Sequence, residues 1–387
     1  MSAGLSTDLR ERRTLGRPDY ALVFAMVLLS ALGLLMIFSA SAPRLEADEL
    51  SRTGDAIRQS VFVIGGMGVF ALAGFISDRN WRMASPYIYS AAMLLLLVVL
   101  SPLGAERNEA QRWIPLGIMD FQPSEFAKPA VILALAMLLS MGEQTRMTWA
   151  KIARASALVV APSILIWLQP DLGTMLVFGF VATVMLFVAG TSIRQLLLML
   201  LGLIIAMLAV FQMDLLQDYQ ERRIISFLNP NEQSLTDNYH QNQSQIAISL
   251  GGLFGQGLFE GTQTNLAFVP AQTTDFIFTA VAEQLGFVGA IIVLGLFLLV
   301  VWRLLVIAVS ARDRFGMLVT TGVAAMFGFH VFVNIGMAVG LLPVTGLPLP
   351  LMSFGGSFYG AMTLSLGISH AIWMRRSPVP GERHLLL

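Results

Sequence analysis

Ten stretches of this chain are apolar over lengths close to what a lipid bilayer demands, and no other feature limits its fold so strongly. A membrane offers the backbone no water to bond, so a spanning segment must be a helix of about 20 apolar residues. The runs cover 20–41, 57–76, 87–103, 126–141, 155–168, 172–189, 196–211, 276–302, 315–342 and 352–373. Two of them, 126–141 and 155–168, fall short of the usual minimum of about 17 residues and need neighbouring helices or polar flanks that dip into the bilayer. Composition agrees: 12% of the 387 residues are charged, where a soluble domain carries about 25%. The expected fold class is an all-α polytopic membrane protein with about ten transmembrane helices and one large extracytoplasmic loop.

The first run is followed by Ser39-Ala40-Ser41-Ala42, which looks like a leader cleavage site, but it exceeds the roughly 7 to 15 residues of a secretory apolar core. It reads as the first spanning helix. Charge sets the orientation, since Lys and Arg collect in cytoplasmic loops. With the N-terminus inside, sixteen of the 24 Lys and Arg fall on the inner side and most of the acids fall outside. Residues 1–19 and 375–387 are then cytoplasmic tails around a transmembrane domain at 20–374, whose large outer loop covers 212–275. Within that loop, 246–259 is apolar but too short and glycine-rich to span. It lies along the interface or bends back into the protein.

Several chemistries are excluded. The 24 Lys+Arg balance 24 Asp+Glu, so no basic excess points to nucleic acid. There is no cysteine, hence no thiolate nucleophile or thiolate metal site, and the four histidines lack zinc-site spacing. No protein metal site is expected.

Candidate chemistry gathers at the outer helix ends. Asp275 stands where the polar loop enters the eighth run, and it fits two roles: an N-cap of that helix, or a general base at the water edge of the membrane. Glu125 and Lys128, three apart at the outer start of the fourth run, share a helical face as a salt bridge or as functional groups. Arg107 and Arg112 with Trp113 form a cationic, aromatic outer loop suited to interfacial anchoring or to a diphosphate. Glu283 lies two turns beyond Asp275, where a hydrogen-bonded partner on another helix or a link to Lys128 is expected. His330 and Asn334, four apart, share a face suited to interhelical hydrogen bonds. Near the end, Pro343, Pro348 and Pro350 with Gly355-Gly356 forbid a continuous helix. Broken backbone at membrane depth survives where it is buried in protein or lines a cavity.

Five stretches together resemble the SEDS family (shape, elongation, division and sporulation proteins). They are Arg112-Trp113-Ile114, FQPSEFAK at 121–128, QPDLGT at 169–174, TDFIF at 274–278 with Glu283 and Gly286 following, and LPLPLMSFGGS at 347–357. GTQTNLAF at 261–268 and PVTGLPLP at 343–350 look like the elongation branch rather than the division branch. This chain departs from the family pattern in PAQTTDFIF, where relatives often have PERHTDFIF, in AEQLG for GEELG, and in SFGGSF for SYGGSS. The absent Arg and His weaken schemes in which they bind phosphate beside Asp275.

The resemblance implies a peptidoglycan glycosyltransferase of the bacterial cytoplasmic (inner) membrane. Such an enzyme polymerises lipid II into undecaprenyl-diphosphate-linked glycan on the outer face, beside a class B penicillin-binding protein and other elongation-complex membrane proteins. It implies Asp275 as catalytic base, Lys128, Glu125 and Arg112 as substrate-binding residues, and Glu283, Asp171 and Ser353 in support. A divalent cation, Mg or Mn, would share the neutralisation of the diphosphate. A flippase for the same lipid-linked precursor and a non-enzymatic scaffold that activates the crosslinking enzyme are the competing readings.

Overall fold

The computed structural model describes residues 16–47, 50–107, 110–117, 120–142, 147–213 and 239–376. In chain order it contains α1 (Tyr20–Ala47), α2 (Gly54–Phe75), α3 (Asp78–Val99), β1 (Ala105–Arg107), β2 (Ala110–Pro115), β3 (Asp120–Phe121), α4 (Pro123–Ser140), α5 (Trp149–Trp167), α6 (Leu172–Val188), α7 (Ile193–Gln212), α8 (Tyr239–Gly251), α9 (Thr262–Asn265), α10 (Ile277–Ser310), α11 (Arg314–Ala338) and α12 (Gly356–Met374). Each of the ten apolar runs corresponds to one long helix. Seven of these, α1 to α5, α10 and α11, are individually long and apolar enough to cross a membrane, while α6 and Ile193–Ile205 of α7 are shorter apolar helices. The chain is a multi-pass membrane protein.

The two short runs gain their length from polar first turns. Helix α4 begins at Pro123, whose missing N–H costs nothing at a helix start. Helix α5 begins at Trp149, with the Thr148 hydroxyl accepting from the Lys151 N–H at 3.3 Å. Lys151 then donates to the Leu139 and Met141 carbonyls at 3.2 and 2.7 Å, closing the turn between the two helices. The expected tail 1–19 is tied down where it meets α1: Asp19 is buried, accepts from the Leu22 N–H at 3.1 Å and pairs with Arg303 at 2.7 Å.

One element departs from an all-helical chain. Strands β1, β2 and β3 form a small antiparallel sheet, pairing Ala105 with Trp113 and Ile114 with Phe121. Alternation over so few residues is too weak to mark strands in the sequence.

Helices α4 and α11 lie at the centre of the bundle, buried along most of their length. Their burial on nearly every face explains why they lack an amphipathic stripe. Helix α10 bends sharply at Gly286, which has φ 66° and ψ −165°. The broken ladder is repaired by the returning loop, which bends back into the protein, the second of its two expected courses. Gln256 and Gly257 donate to the Glu283 and Gln284 carbonyls at 2.9 and 3.2 Å, and Phe287 and Val288 donate to the Gly252 and Leu253 carbonyls at 2.9 and 3.1 Å. Such close backbone pairing requires glycine: a Cβ on Gly286 would lie 2.2 Å from the Gly255 nitrogen, and one on Gly255 2.1 Å from the Gln284 oxygen. Irregular backbone thus sits within the bundle with its polar groups paired.

Candidate functional site

The stretch between α11 and α12 is non-helical, as its three prolines require, and it holds Ser353 and packs against Asp275. Asp275 approaches from one side. Helix α10 starts at Ile277 with Phe276 in the N-cap position, so Asp275 stands one residue outside the cap expected of it. It belongs instead to a tight turn in which its N–H donates to the Ala271 carbonyl at 2.9 Å, with Ala271 at φ 49°. The side chain is half-buried, and its Oδ2 lies 3.5 Å from where a Cβ of Gly346 would stand. Gly346 has φ 72°, a conformation that favours glycine, so this residue both makes the turn and leaves room for the carboxylate.

Further bonds lock this turn to the broken segment. Phe354 N–H donates to the Thr273 carbonyl at 2.9 Å, and the Ser353 hydroxyl donates to the Thr274 carbonyl while accepting from Leu349 N–H at 2.8 Å. Ser353 is therefore a buried strut beside Asp275. Gln59 on α2, which sequence reasoning passed over, holds the same segment from behind: its Nε2 donates to the Ser353 carbonyl at 3.4 Å and its Oε1 accepts from Gly355 N–H at 3.1 Å. A lone Gln in an apolar helix gave no pattern that distinguished it.

The Glu125–Lys128 pair comes from the first turn of α4. Lys128 Nζ donates to Glu125 Oε1 and Oε2 at 2.9 and 2.8 Å and lies 3.3 Å from His330 Nε2, with both members of the ion pair buried. His330 Nδ1 in turn lies 3.3 Å from the Pro348 carbonyl. Asn334, one turn along α11, donates to the Asp275 and Leu347 carbonyls at 2.7 and 2.8 Å. The expected face of His330 and Asn334 therefore does bond across to other segments.

Arg112 and Asp171 serve the turn between α5 and α6. Arg112 Nε donates to the Gln169 carbonyl at 2.7 Å and its Nη2 to the Pro170 carbonyl, while Asp171 caps α6 by accepting from the Thr174 N–H and hydroxyl at 3.1 and 2.9 Å. Behind Asp171, a Cβ on Gly173 would lie 3.0 Å from the Thr345 carbonyl, which sets α6 directly against the broken segment. The side chain of Arg107, the other cation expected in this loop, lies outside the described part of the structure.

Glu283 is the residue placed elsewhere. Both its oxygens cap the short helix α9, accepting from Gln263 N–H, Thr264 N–H and the Thr264 hydroxyl at 2.6, 3.1 and 2.6 Å. Of the two partners expected for it, the hydrogen-bonded one on another helix is found in α9, while the link to Lys128 is not made, Lys128 bonding Glu125 and His330 instead. Among the described residues no three His, Cys, Asp or Glu side chains converge as a metal cluster.

The chain matches the FtsW/RodA/SpoVE cell cycle protein family over residues 20–377. It belongs to that family. The family resemblance carried by the five motifs is thereby borne out. Among FtsW/RodA/SpoVE relatives, the chain is 38% identical to peptidoglycan glycosyltransferase MrdB of Escherichia coli over 80% of its length and 83% of the relative's. It is 37% identical to stage V sporulation protein E of Bacillus subtilis over 91% and 95%, and 35% identical to the probable peptidoglycan glycosyltransferase FtsW of Geobacter metallireducens over 98% and 100%. Among solved structures it resembles Thermus thermophilus rod shape determining protein RodA, with TM-score 0.68, 32% identity and coverage of 93% and 98%. It also resembles a chain from a study of how a peptidoglycan synthase complex coordinates polymerisation and crosslinking, with TM-score 0.77, 34% identity and coverage of 92% and 97%.

Proposed function

We propose that this FtsW/RodA/SpoVE protein is a peptidoglycan glycosyltransferase that polymerises lipid II into glycan strands during cell-wall elongation and rod-shape maintenance. The observation that carries the reading is the position of Asp275: a half-buried carboxylate lodged against Gly346, at the point where α10 and the broken segment before α12 converge. The peptidoglycan glycosyltransferase activity of the MrdB relative gives that carboxylate a reaction to serve. As general base, Asp275 takes the proton from an acceptor sugar hydroxyl. The oxygen bonds to the anomeric carbon of the lipid-linked donor with inversion, and the undecaprenyl diphosphate departs with the electron pair of the broken carbon–oxygen bond.

Lys128 and Arg112 supply positive charge for the diphosphate. A buried ammonium needs a counter-charge, which Glu125 provides at contact distance until an anionic substrate competes for it. Arg112 is held by two carbonyls through Nε and Nη2, two of the donor positions of a guanidinium that carries five N–H groups. Asp171, Ser353 and Glu283 act in support, as cap, strut and cap respectively. A divalent cation, Mg or Mn, rests on the charge of the substrate alone. Among the described residues no three His, Cys, Asp or Glu side chains gather to hold it.

The charge asymmetry supports a reading in which both termini are cytoplasmic and the site faces outward from the bacterial inner membrane. Asp275, the Glu125–Lys128 pair and Asp171 all lie at starts of helices that enter from the same end, which suits a polymerase better than a flippase, whose polar groups must continue through the bilayer. The likeness to a chain from a peptidoglycan synthase complex supports a class B penicillin-binding protein as partner, within a larger elongation assembly of membrane proteins. The test is incubation of the purified protein with lipid II, alone and with its cognate penicillin-binding protein, followed by analysis of glycan chains. Chains from the protein are expected. Their absence under every partner and metal condition overturns the reading in favour of flippase or scaffold.

A further inference from the structure

We propose that His330 and Asn334 are positioning residues that fix Asp275 relative to Lys128, a role that rests on the polymerase reading above. Both side chains are fully buried on α11, one helical turn apart. Each reaches two separate segments of the site. His330 joins Lys128 to Pro348, and Asn334 joins Asp275 to Leu347. Leu347 and Pro348 are consecutive, so two successive turns of one rigid helix grip two successive carbonyls of a segment that has no ladder of its own.

The hydrogen-bond roles follow from the partners. A carbonyl only accepts, so the His330 Nδ1 carries the hydrogen. An ammonium only donates, so Nε2 offers its lone pair. The imidazole is therefore neutral, with its tautomer set from both sides. Lys128 has three N–H groups, and its three acceptors are Glu125 Oε1, Glu125 Oε2 and His330 Nε2. His330 is the partner that completes the ammonium.

Asn334 is oriented just as strictly. Both its contacts are carbonyl oxygens, so its amide nitrogen must face them, and its own Oδ1 is left buried with no hydrogen-bond partner. A buried acceptor without a donor costs about 1 to 3 kcal/mol. Turning the amide would set that oxygen against two carbonyls and strand both N–H groups, so the side chain is held in this one orientation.

The two grips lie on opposite sides of the reaction as proposed. Lys128 faces the leaving diphosphate and Asp275 faces the attacking hydroxyl, so the distance between them sets whether base and donor act on one geometry. A misplacement of about 1 Å in such an arrangement costs on the order of 10²-fold in rate.

The test uses full-length protein with lipid II, comparing wild type, Asp275→Asn, His330→Phe, His330→Gln, Asn334→Leu and Asn334→Asp. His330→Phe and Asn334→Leu keep volume and lose the bonds. They should lower kcat by roughly 10-fold or more while leaving KM for lipid II within about twofold, because an orientation effect acts on the reacting geometry rather than on uniform binding. His330→Gln, which can still donate and accept, should recover part of the lost kcat, whereas Asn334→Asp, which has no donors, should recover none.

A raised KM with unchanged kcat, or wild-type kinetics in both bond-deleting variants, overturns the proposal. Hydrogen–deuterium exchange reads the same grip without any activity. Both bond-deleting variants should exchange faster in 343–354 and 271–276 with exchange in α4 unchanged, and unchanged exchange in the two segments overturns the proposal even if no variant polymerises. The wild type and Asp275→Asn separate the two readings: an inactive wild type or an active Asp275→Asn speaks against the polymerase or its base, and the exchange data then decide the grip alone.

Discussion

Glu283 takes both hydrogens that Thr264 has to give, accepting its backbone N–H at 3.1 Å and its hydroxyl at 2.6 Å through one carboxylate oxygen, while the other oxygen accepts from Gln263 N–H at 2.6 Å. The carboxylate is fully buried and sits just before the bend at Gly286. Two adjacent N–H groups and a hydroxyl replace the water that a buried carboxylate has lost. Gln272 extends the network by donating to the hydroxyls of Thr264 and Thr279 at 2.9 and 3.1 Å.

Glu283→Ala strands two buried donors of Thr264 and a part-buried one of Gln263, and at about 1 to 3 kcal/mol for each buried donor it should cost several kcal/mol of stability. Glu283→Gln keeps one acceptor oxygen and should fall between the two. Thermal unfolding in detergent, followed by intrinsic fluorescence, reads the order wild type, Gln, Ala. An Ala variant that unfolds with the wild type would show that the cap contributes nothing.

The Glu125–Lys128 pair makes a prediction of coupling. Removing one partner leaves the other charge buried and uncompensated, which typically costs about 3 to 5 kcal/mol, whereas removing both leaves no such charge. Glu125→Ala and Lys128→Ala should each impair lipid II polymerisation, and the double variant should be less defective than the product of the single effects. Multiplicative effects in well-folded variants would mean that the two act independently.

Orientation is testable because the chain has no cysteine of its own. Single cysteines at Ser6, Ser234 and Ser377 should react with an impermeant reagent in intact cells only at position 234. These three positions lie outside the described residues, so the expectation rests on the distribution of Lys and Arg alone. Labelling at either terminus would contradict an even number of spans with both ends inside.

Much of the fold was legible because it is carried by local runs of apolar residues, and ten of them became ten helices. Ends were harder to read where a polar first turn carries the helix beyond its apolar run, as at Asp78 in α3 and Trp149 in α5, since hydropathy falls there while capping continues the helix. The small sheet was invisible for lack of length. At the site, the sequence showed Asp275, Glu125 and Lys128 as charges at helix starts, and spacing alone paired the last two. Partners set by tertiary packing were only partly readable: of the two partners expected for Glu283, the hydrogen-bonded one on another helix is found, in α9, and the Lys128 link is not, while no spacing rule joins His330 to Lys128 or Gln59 to Ser353. Asp275 itself was read correctly as standing at the threshold but one residue too close to the helix, because a cap is defined by backbone dihedrals rather than by residue type.

That one-residue offset sharpens the test of Asp275. With Phe276 in the N-cap position, the carboxylate contributes to α10 at most from outside its first turn, and Asn nearly matches Asp wherever such capping matters, while Ala costs about 1 kcal/mol at a true cap. Asp275→Asn preserves size, polarity and the backbone bonds to Ala271 and Asn334, which run through the main chain. It removes only the oxygen that can take a proton. If Asp275 is the general base, Asp275→Asn and Asp275→Ala should both lower polymerisation by at least ~10²-fold, with expression and binding to the penicillin-binding protein retained. If the residue serves only the turn, Asn should be near wild type in both rate and stability, and Ala alone should be impaired. Purified Asp275→Asn protein that makes glycan at close to the wild-type rate would remove Asp275 from the chemistry and leave it as a structural member of the 271–275 turn.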